Sequence, residues 1–290
     1  MNPHRDLLYF CALLRYPEVH EPRQKTMPTW VVTGTSSGIG LELTKQILEA
    51  DSANVVYATV RTRASSASGE DHIGKLAALY TDRLKILEGI DIAEDAVKAK
   101  LAAALEGVTV DVVIHNAGGL AGYGASRPEL KGMEHMGVQS MDNVSMEMMQ
   151  ATFNLNTLGP LRVQQAVNPM LKSPGGKVAV ISTGFGSISD NGSGGVYAYR
   201  VSKAGVNMLT KNLSCDLKKK DIAAVAINPG MVKTEFGPGL AALTHMGALD
   251  VDVSCKGVLK VIDALTMETT GTYWSACSKA NNGEPAPYQW

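Results

Sequence analysis

Seven short runs rich in apolar and β-branched residues recur along the chain, at residues 29–33, 55–60, 84–88, 110–115, 176–183, 222–227 and 271–274. Between them lie longer segments in which apolar side chains return every three or four positions, the spacing of one helical face. They open with Ile39, Leu43 and Ile47 and continue at about 69–79, 94–105, 143–159 and on to 171, 196–219 and 251–265. Strands that alternate with helices need crossover connections, so the pattern predicts an α/β fold: one doubly wound, seven-stranded parallel sheet with helices on both faces. No internal repeat or low-complexity tract competes with that reading. The least patterned stretch is 118–140, rich in Gly and Met and holding Pro128, and it reads as a long connection of the kind that is functional or lacks fixed structure.

The 196–219 helix carries chemistry at its start. Behind Tyr199-Arg200-Val201-Ser202-Lys203, the residues Val206, Leu209, Leu213 and Leu217 form an apolar stripe. Tyr199 and Lys203, four apart, share one helical face. A free tyrosine, with a pKa near ~10, is a poor proton donor or acceptor at neutral pH. A lysine cation about 4 Å away at an effective dielectric near ~20 favours the phenolate by roughly 4 kcal/mol, an upper bound of about three pKa units. The pair therefore predicts a phenol brought toward working pH. The same pair is also consistent with a surface contact in which a lysine stem packs on a ring.

The first run ends at Gly34, and Gly38 and Gly40 follow before the first helical pattern, with Ser36, Ser37 and Ile39 in the same turn. Strand, glycine turn and helix in that order suit a pyrophosphate: glycines let backbone approach it, and the helix start supplies free amides and a favourable dipole. About twenty residues on, Arg61 closes the second run and Arg63 follows, where a dinucleotide fold places an acid for a ribose hydroxyl or a base for a 2′-phosphate. The absence of an acid favours NADP over NAD; the alternative is that the arginines begin a solvated loop. Asp91 and Ile92 leave the third run on the edge where ligands collect in open sheets, although Asp91 is equally a helix-starting residue. Asn116-Ala117-Gly118 ends the fourth run with small residues, and Asn156 stands mid-helix. Ser182 and Thr183 end the fifth, before a Gly/Ser-rich loop at 184–195.

Composition narrows the classes. The 290 residues are 45% hydrophobic with a net charge of −1, enough for one large core and too little positive charge for a nucleic-acid surface. Cys11, Cys215, Cys255 and Cys277 show no paired spacing and read as reduced thiols of a cytoplasmic protein, and the six histidines make no ligand pair, so no metal site is expected. The apolar run at 7–14 is too short to span a bilayer. Residues 1–26 read as an N-terminal extension outside the fold, and residues 27–290 as a single domain that includes the substrate site.

Together these residues resemble the short-chain dehydrogenase/reductase family, and most of all its sniffer-type carbonyl reductases. The match rests on Thr33-Gly34-x-x-x-Gly38-Ile39-Gly40, Asp91-Ile92, Asn116-Ala117-Gly118, Asn156, the Ser182/Thr183 strand end, Tyr199-x-x-x-Lys203 and Pro229-Gly230 with Thr234. The resemblance implies a single Rossmann-type domain and an NADP-dependent oxidoreductase that reduces a ketone or aldehyde, or oxidises the alcohol. It implies Tyr199 as general acid, Lys203 as the cation that lowers the phenol's pKa and binds the nicotinamide ribose, and Asn156 as holder of a proton-relaying water. It further implies that Gly34, Gly38 and Gly40 cradle pyrophosphate, with Ser36, Ser37 and Ile39 beside them. Asp91 and Ile92 would flank adenine, Asn116 would adjoin the adenosine ribose, Thr234 would reach the carboxamide side, and Ala117, Gly118, Pro229, Gly230 and Val232 would also line the cofactor. The substrate-polarising hydroxyl is usually serine; counting back from the following loop places Thr183 there, with Ser182 the alternative. A homodimer or homotetramer is the implied assembly. The reading from another class is a catalytically weak cofactor-binding scaffold that regulates a partner.

Overall fold

The computed structural model describes residues 27–64, 69–120, 134–236 and 239–290. Among these residues eight strands form one sheet in the order β3-β2-β1-β4-β5-β6-β7-β8, with β1 Thr29–Thr33, β2 Val55–Thr59, β3 Leu84–Leu87, β4 Val112–His115, β5 Lys177–Ile181, β6 Ala223–Asn228, β7 Thr272–Ser275 and β8 Ala286–Pro287. The first seven pair in parallel, as the alternating pattern requires. The eighth corrects the expected count: it pairs antiparallel to β7 through Trp274↔Pro287 and Ser275↔Ala286. Two residues, one a proline, are too few to show a period, so only the partner strand reveals it.

Nine α-helices lie among the described residues: α1 Gly38–Ala50, α2 His72–Leu79, α3 Val97–Ala104, α4 Glu134–Gly137, α5 Met146–Phe153, α6 Gly159–Val167, α7 Tyr197–Asp216, α8 Leu240–His245 and α9 Val251–Asp263. The expected helix near 143–159 is broken in register by a π-helical turn, Asn154–Leu158, between α5 and α6. Much of the stretch expected as a long connection, residues 121–133, lies outside the described residues, as do residues 1–26.

Strand residues alternate between two apolar layers because successive side chains point to opposite faces. Val32, Val56, Ala58, Ile114, Ala179 and Ile181 pack under Leu43, Ile47, Val258 and Ile262 of α1 and α9. Val31, Val113, Val178 and Val180 pack on the other face against Leu101, Val163, Val167, Val206 and Leu213 of α3, α6 and α7. The strand order reverses between β1 and β4, where a crevice opens at the carboxyl edge of a parallel sheet. The helix that carries Tyr199 and Lys203 covers the face beside that crevice.

Candidate active site

Three strand ends meet at the carboxyl edge: Thr33 of β1, His115 of β4 and Ile181 of β5. Just beyond β1, a Cβ on Gly34 would stand 2.8 Å from the Ala117 Cα, and one on Gly40 would stand 2.5 Å from the Asn116 Nδ2. The Asn116 amide donates to the carbonyls of Thr33 and Gly34 at 2.9 and 3.0 Å, which ties the two crossover loops together. Gly38 has φ +56°, and a Cβ there would reach within 3.4 Å of the Thr234 Cγ2. The start of α1, thirteen residues long, has no acidic residue in its first turn and no side-chain cap from Ser37. Its first amides and positive dipole end are therefore available to an anion, and a pyrophosphate suits this cradle in charge.

Residues flanking the cradle divide. Arg61 stands exposed at the end of β2, while Arg63 pairs with Asp71 at 3.1 Å. Asp91 accepts the Ala93 amide at 3.0 Å in a local turn, and Ile92, 4% exposed, packs against Gly159. Pro229 accepts from the Ser254 hydroxyl at 2.8 Å, Gly230 adopts φ +86°, and Val232 is buried in a bridge with Leu249. Thr234 accepts from the Phe236 amide at 3.3 Å.

Around Tyr199 the structure separates the two hydroxyls that the sequence leaves as alternatives. Ser182 is buried and donates to the Asn207 Oδ1 at 2.5 Å. The Thr183 hydroxyl accepts the Phe185 amide at 3.4 Å as the cap of a short 3-10 turn, and it lies near enough to Tyr199 to act on the phenol. The tyrosine ring keeps part of its surface open and lies between Phe185 and Phe236, with centroids 6.4 and 5.8 Å away. These two phenylalanines escape the sequence reading because nothing in their spacing marks them; only the folded loops bring them to the tyrosine.

The expected electrostatics of the Tyr199–Lys203 pair are corrected. The Lys203 Nζ lies 5.9 Å from the centre of the Tyr199 ring and donates to the Ile181 carbonyl at 2.9 Å. Desolvation raises the Tyr199 pKa above its ordinary value, against a smaller lowering by the Thr183 hydroxyl. Burial also depresses the Lys203 pKa to about 8. Helical spacing brings the two side chains to one face, but removal from water, not their mutual attraction, sets the direction of both shifts.

Asn156 sits in the π turn, a frequent device at functional sites. Its side chain accepts from the Gly119 amide at 2.8 Å and donates to the Gly119 carbonyl at 2.7 Å and the Ser202 hydroxyl at 3.0 Å. A Cβ on Gly118 would stand 2.9 Å from the Asn156 Oδ1 and 3.6 Å from the Lys203 Nζ, so the end of β4, the π turn and α7 converge.

The start of α7 is held by residues with no motif. Val196 precedes it at φ 49°, ψ 43°, an uncommon conformation for a β-branched residue. Gln139, distant in sequence, accepts the Tyr197 amide on its backbone carbonyl at 3.0 Å and the Tyr199 amide on its side chain at 3.1 Å. Arg200 turns back to donate to the Gly194 and Gly195 carbonyls and the Ser193 hydroxyl, and it lies over the Phe185 ring at 4.5 Å. Among the described residues no group of three or more His, Cys, Asp or Glu could hold a metal ion, and no helix is long and apolar enough to cross a membrane.

A glycine cradle at the switch between β1 and β4, beside a tyrosine and lysine on α7, defines a nucleotide-dependent oxidoreductase of the short-chain type. The sequence profile of the short chain dehydrogenase family matches residues 28–266, and the chain belongs to that family. It is similar to the carbonyl reductase of chicken fatty liver, crystallised with NADPH: identity is 29%, the TM-score 0.73, and 90% of this chain and 98% of that one are covered. It is also similar to the carbonyl reductase Sniffer of D. melanogaster, 26% identical with a TM-score of 0.71, over 91% of this chain and all of that one. A curated relative, 1-hydroxy-2-glutathionyl-2-methyl-3-butene dehydrogenase of Rhodococcus sp., is 29% identical over 253 residues, 85% of this chain and 96% of its own.

Proposed function

We propose that this protein is an NADP(H)-dependent oxidoreductase that reduces a ketone or aldehyde to the alcohol, or runs the reverse, with Tyr199 as general acid/base. The observation that carries the proposal is the convergence of Tyr199, Lys203 and Thr183 beside the glycine cradle: the Lys203 Nζ lies 5.9 Å from the Tyr199 ring centre and donates to the Ile181 carbonyl at the end of β5, two residues before Thr183. A carbonyl oxygen placed between the Tyr199 and Thr183 hydroxyls would receive two hydrogen-bond donors at once. When bound, a nicotinamide supplies the hydride. NADP is favoured because Arg61 is exposed where a 2′-phosphate is read, and because a Burkholderia multivorans short-chain dehydrogenase/reductase that resembles this chain carries NADP.

The phenol arrives protonated, as the reductive direction requires, although its raised pKa makes it the weaker acid until the nearby charges of the bound state act on it. It gives its proton to the carbonyl oxygen as negative charge develops there, while Thr183 donates to the same oxygen. The phenolate left behind is stabilised by Thr183 and by the nearby Lys203 cation, while Asn156, bonded to Gly119 and to Ser202, ties the segment after β4 to the first turns of α7. The proposed catalytic unit is residues 27–290, of which the family match spans 28–266, with residues 1–26 an extension ahead of it.

Steady-state turnover of aldehydes, ketones and diketones with NADPH tests the proposal. Tyr199→Phe keeps the ring and removes the proton, so kcat should fall at least about a hundredfold while NADPH affinity holds within about twofold. Undiminished turnover in that variant rejects the mechanism. A parent protein that binds NADPH but turns over none of these carbonyls selects the scaffold reading instead.

A further inference from the structure

Tyr273, in β7, is only 1% exposed, yet it keeps a polar atom where phenylalanine would fill the same space. Its hydroxyl donates to the Thr183 main-chain carbonyl at 2.6 Å. That carbonyl also accepts the Gly186 amide at 2.8 Å, so both its lone pairs are engaged. Thr183 needs such restraint because β5 ends before it: the last main-chain bond to the neighbouring strand runs from the Ser182 amide to the Ile227 carbonyl.

The Tyr273 ring is itself immobilised. Tyr288 meets it edge-on and Trp290 stacks on it, each with its centroid 5.1 Å away. The Tyr288 amide donates to the Tyr273 carbonyl at 2.7 Å, and the Tyr288 hydroxyl donates to the Asp190 Oδ2 at 2.5 Å. The Trp290 carbonyl accepts from both the amide and the hydroxyl of Ser189. Three aromatic residues thus grip the segment between Thr183 and α7 at Thr183, Ser189 and Asp190.

We propose that Tyr273 is a positioning residue for the reaction: its hydroxyl fixes the Thr183 backbone and thereby aims the Thr183 hydroxyl at the substrate oxygen beside Tyr199. The inference rests on the reading of Thr183 as the polarising hydroxyl. Its physical basis is the stiffness of threonine, whose β-branch leaves few side-chain rotamers, so the direction of its hydroxyl follows the backbone. Serine at this place could turn to recover a lost angle; threonine cannot do so as freely.

The test is a double-mutant cycle on the full chain, with kcat and KM for carbonyl and NADPH measured alongside the thermal midpoint. Tyr273→Phe should lower kcat about tenfold, the worth of one hydrogen bond felt in the transition state, with KM for NADPH within about twofold. Thr183→Val removes the polarising hydroxyl, and adding Tyr273→Phe to it should cost nothing further, because the group being aimed is already gone. Tyr288→Phe leaves the Tyr273 hydroxyl in place and should keep kcat within about twofold. Tyr273→Phe at parental kcat, full additivity in the double variant, or an equal loss in Tyr288→Phe each overturns the proposal. Thr183→Val at parental kcat overturns the reading of the site beneath it, which separates the two failures.

Discussion

Lys203 and Tyr199 feel the same burial in opposite senses. Each loses water, which disfavours its charged form, so the phenol pKa rises and the ammonium pKa falls to about 8. The cation that would stabilise a phenolate therefore persists only below about pH 8. Carbonyl reduction should be level up to that pH and decline above it, as measured in the kcat profile; Lys203→Met should lower the plateau and remove the break. Arg61 gives a second prediction at this scale. It is exposed, so its contribution to a phosphate lies at the low end of a charge-assisted bond, and Arg61→Ala should weaken NADPH about tenfold and leave NADH unchanged in a fluorescence titration. Equal loss for both cofactors rejects the phosphate assignment. Of these residues the sequence showed identity and spacing: Tyr199 and Lys203 on one helical face, Ser182 and Thr183 at one strand end. It could not show that Ser182 turns to Asn207 while Thr183 turns to cap the Phe185 turn beside Tyr199, because adjacent residues of an extended chain point opposite ways and only the packed neighbours say which way is inward.

Helix α7 was legible to within three residues at either end, 196–219 against Tyr197–Asp216, because its apolar stripe runs along its whole length. Its start is another matter. No Ser, Thr, Asp or Asn caps it; Val196 stands at the N-cap in a left-handed conformation, and Gln139 supplies the missing acceptor from a separate segment. Gln139→Leu should lower stability by about 1 kcal/mol in chemical denaturation, the usual cost of a lost cap, and should reduce kcat as the first turn and Tyr199 loosen. Unchanged stability would show that the Gln139 side chain is not the cap. The π turn at Asn154–Leu158 was hidden for a different reason: both flanking segments are helical, and the one extra residue that shifts their register leaves no mark in composition.

At the scale of the whole molecule, His115 ties stability to pH. It is buried at the end of β4, with Nε2 2.9 Å from the Gln164 Oε1, and burial depresses its pKa to about 4. The fold holds the ring neutral, whereas the unfolded chain takes up a proton near ~6.5. Its contribution is thus complete above about pH 6.5 and is lost as pH falls toward 4. Denaturation at pH 7 and pH 5 should differ by about 2 kcal/mol from this residue, and His115→Gln should flatten the difference. A pH dependence that survives the substitution assigns the effect to other groups.

The chain's own pattern determined the seven parallel strands, their alternation with helices, the glycine turn and the helix of the tyrosine, because each is a local repeat of side-chain polarity or a local need for small residues. Tertiary structure alone decided the eighth strand, the cap from Gln139, the aromatic grip of Tyr273, Tyr288 and Trp290 on the loop before α7, and the balance of burial against charge at Tyr199 and Lys203. Those depend on which residues meet across long stretches of chain and how much water they lose when they meet. Neither quantity is written in the spacing of residues along a sequence.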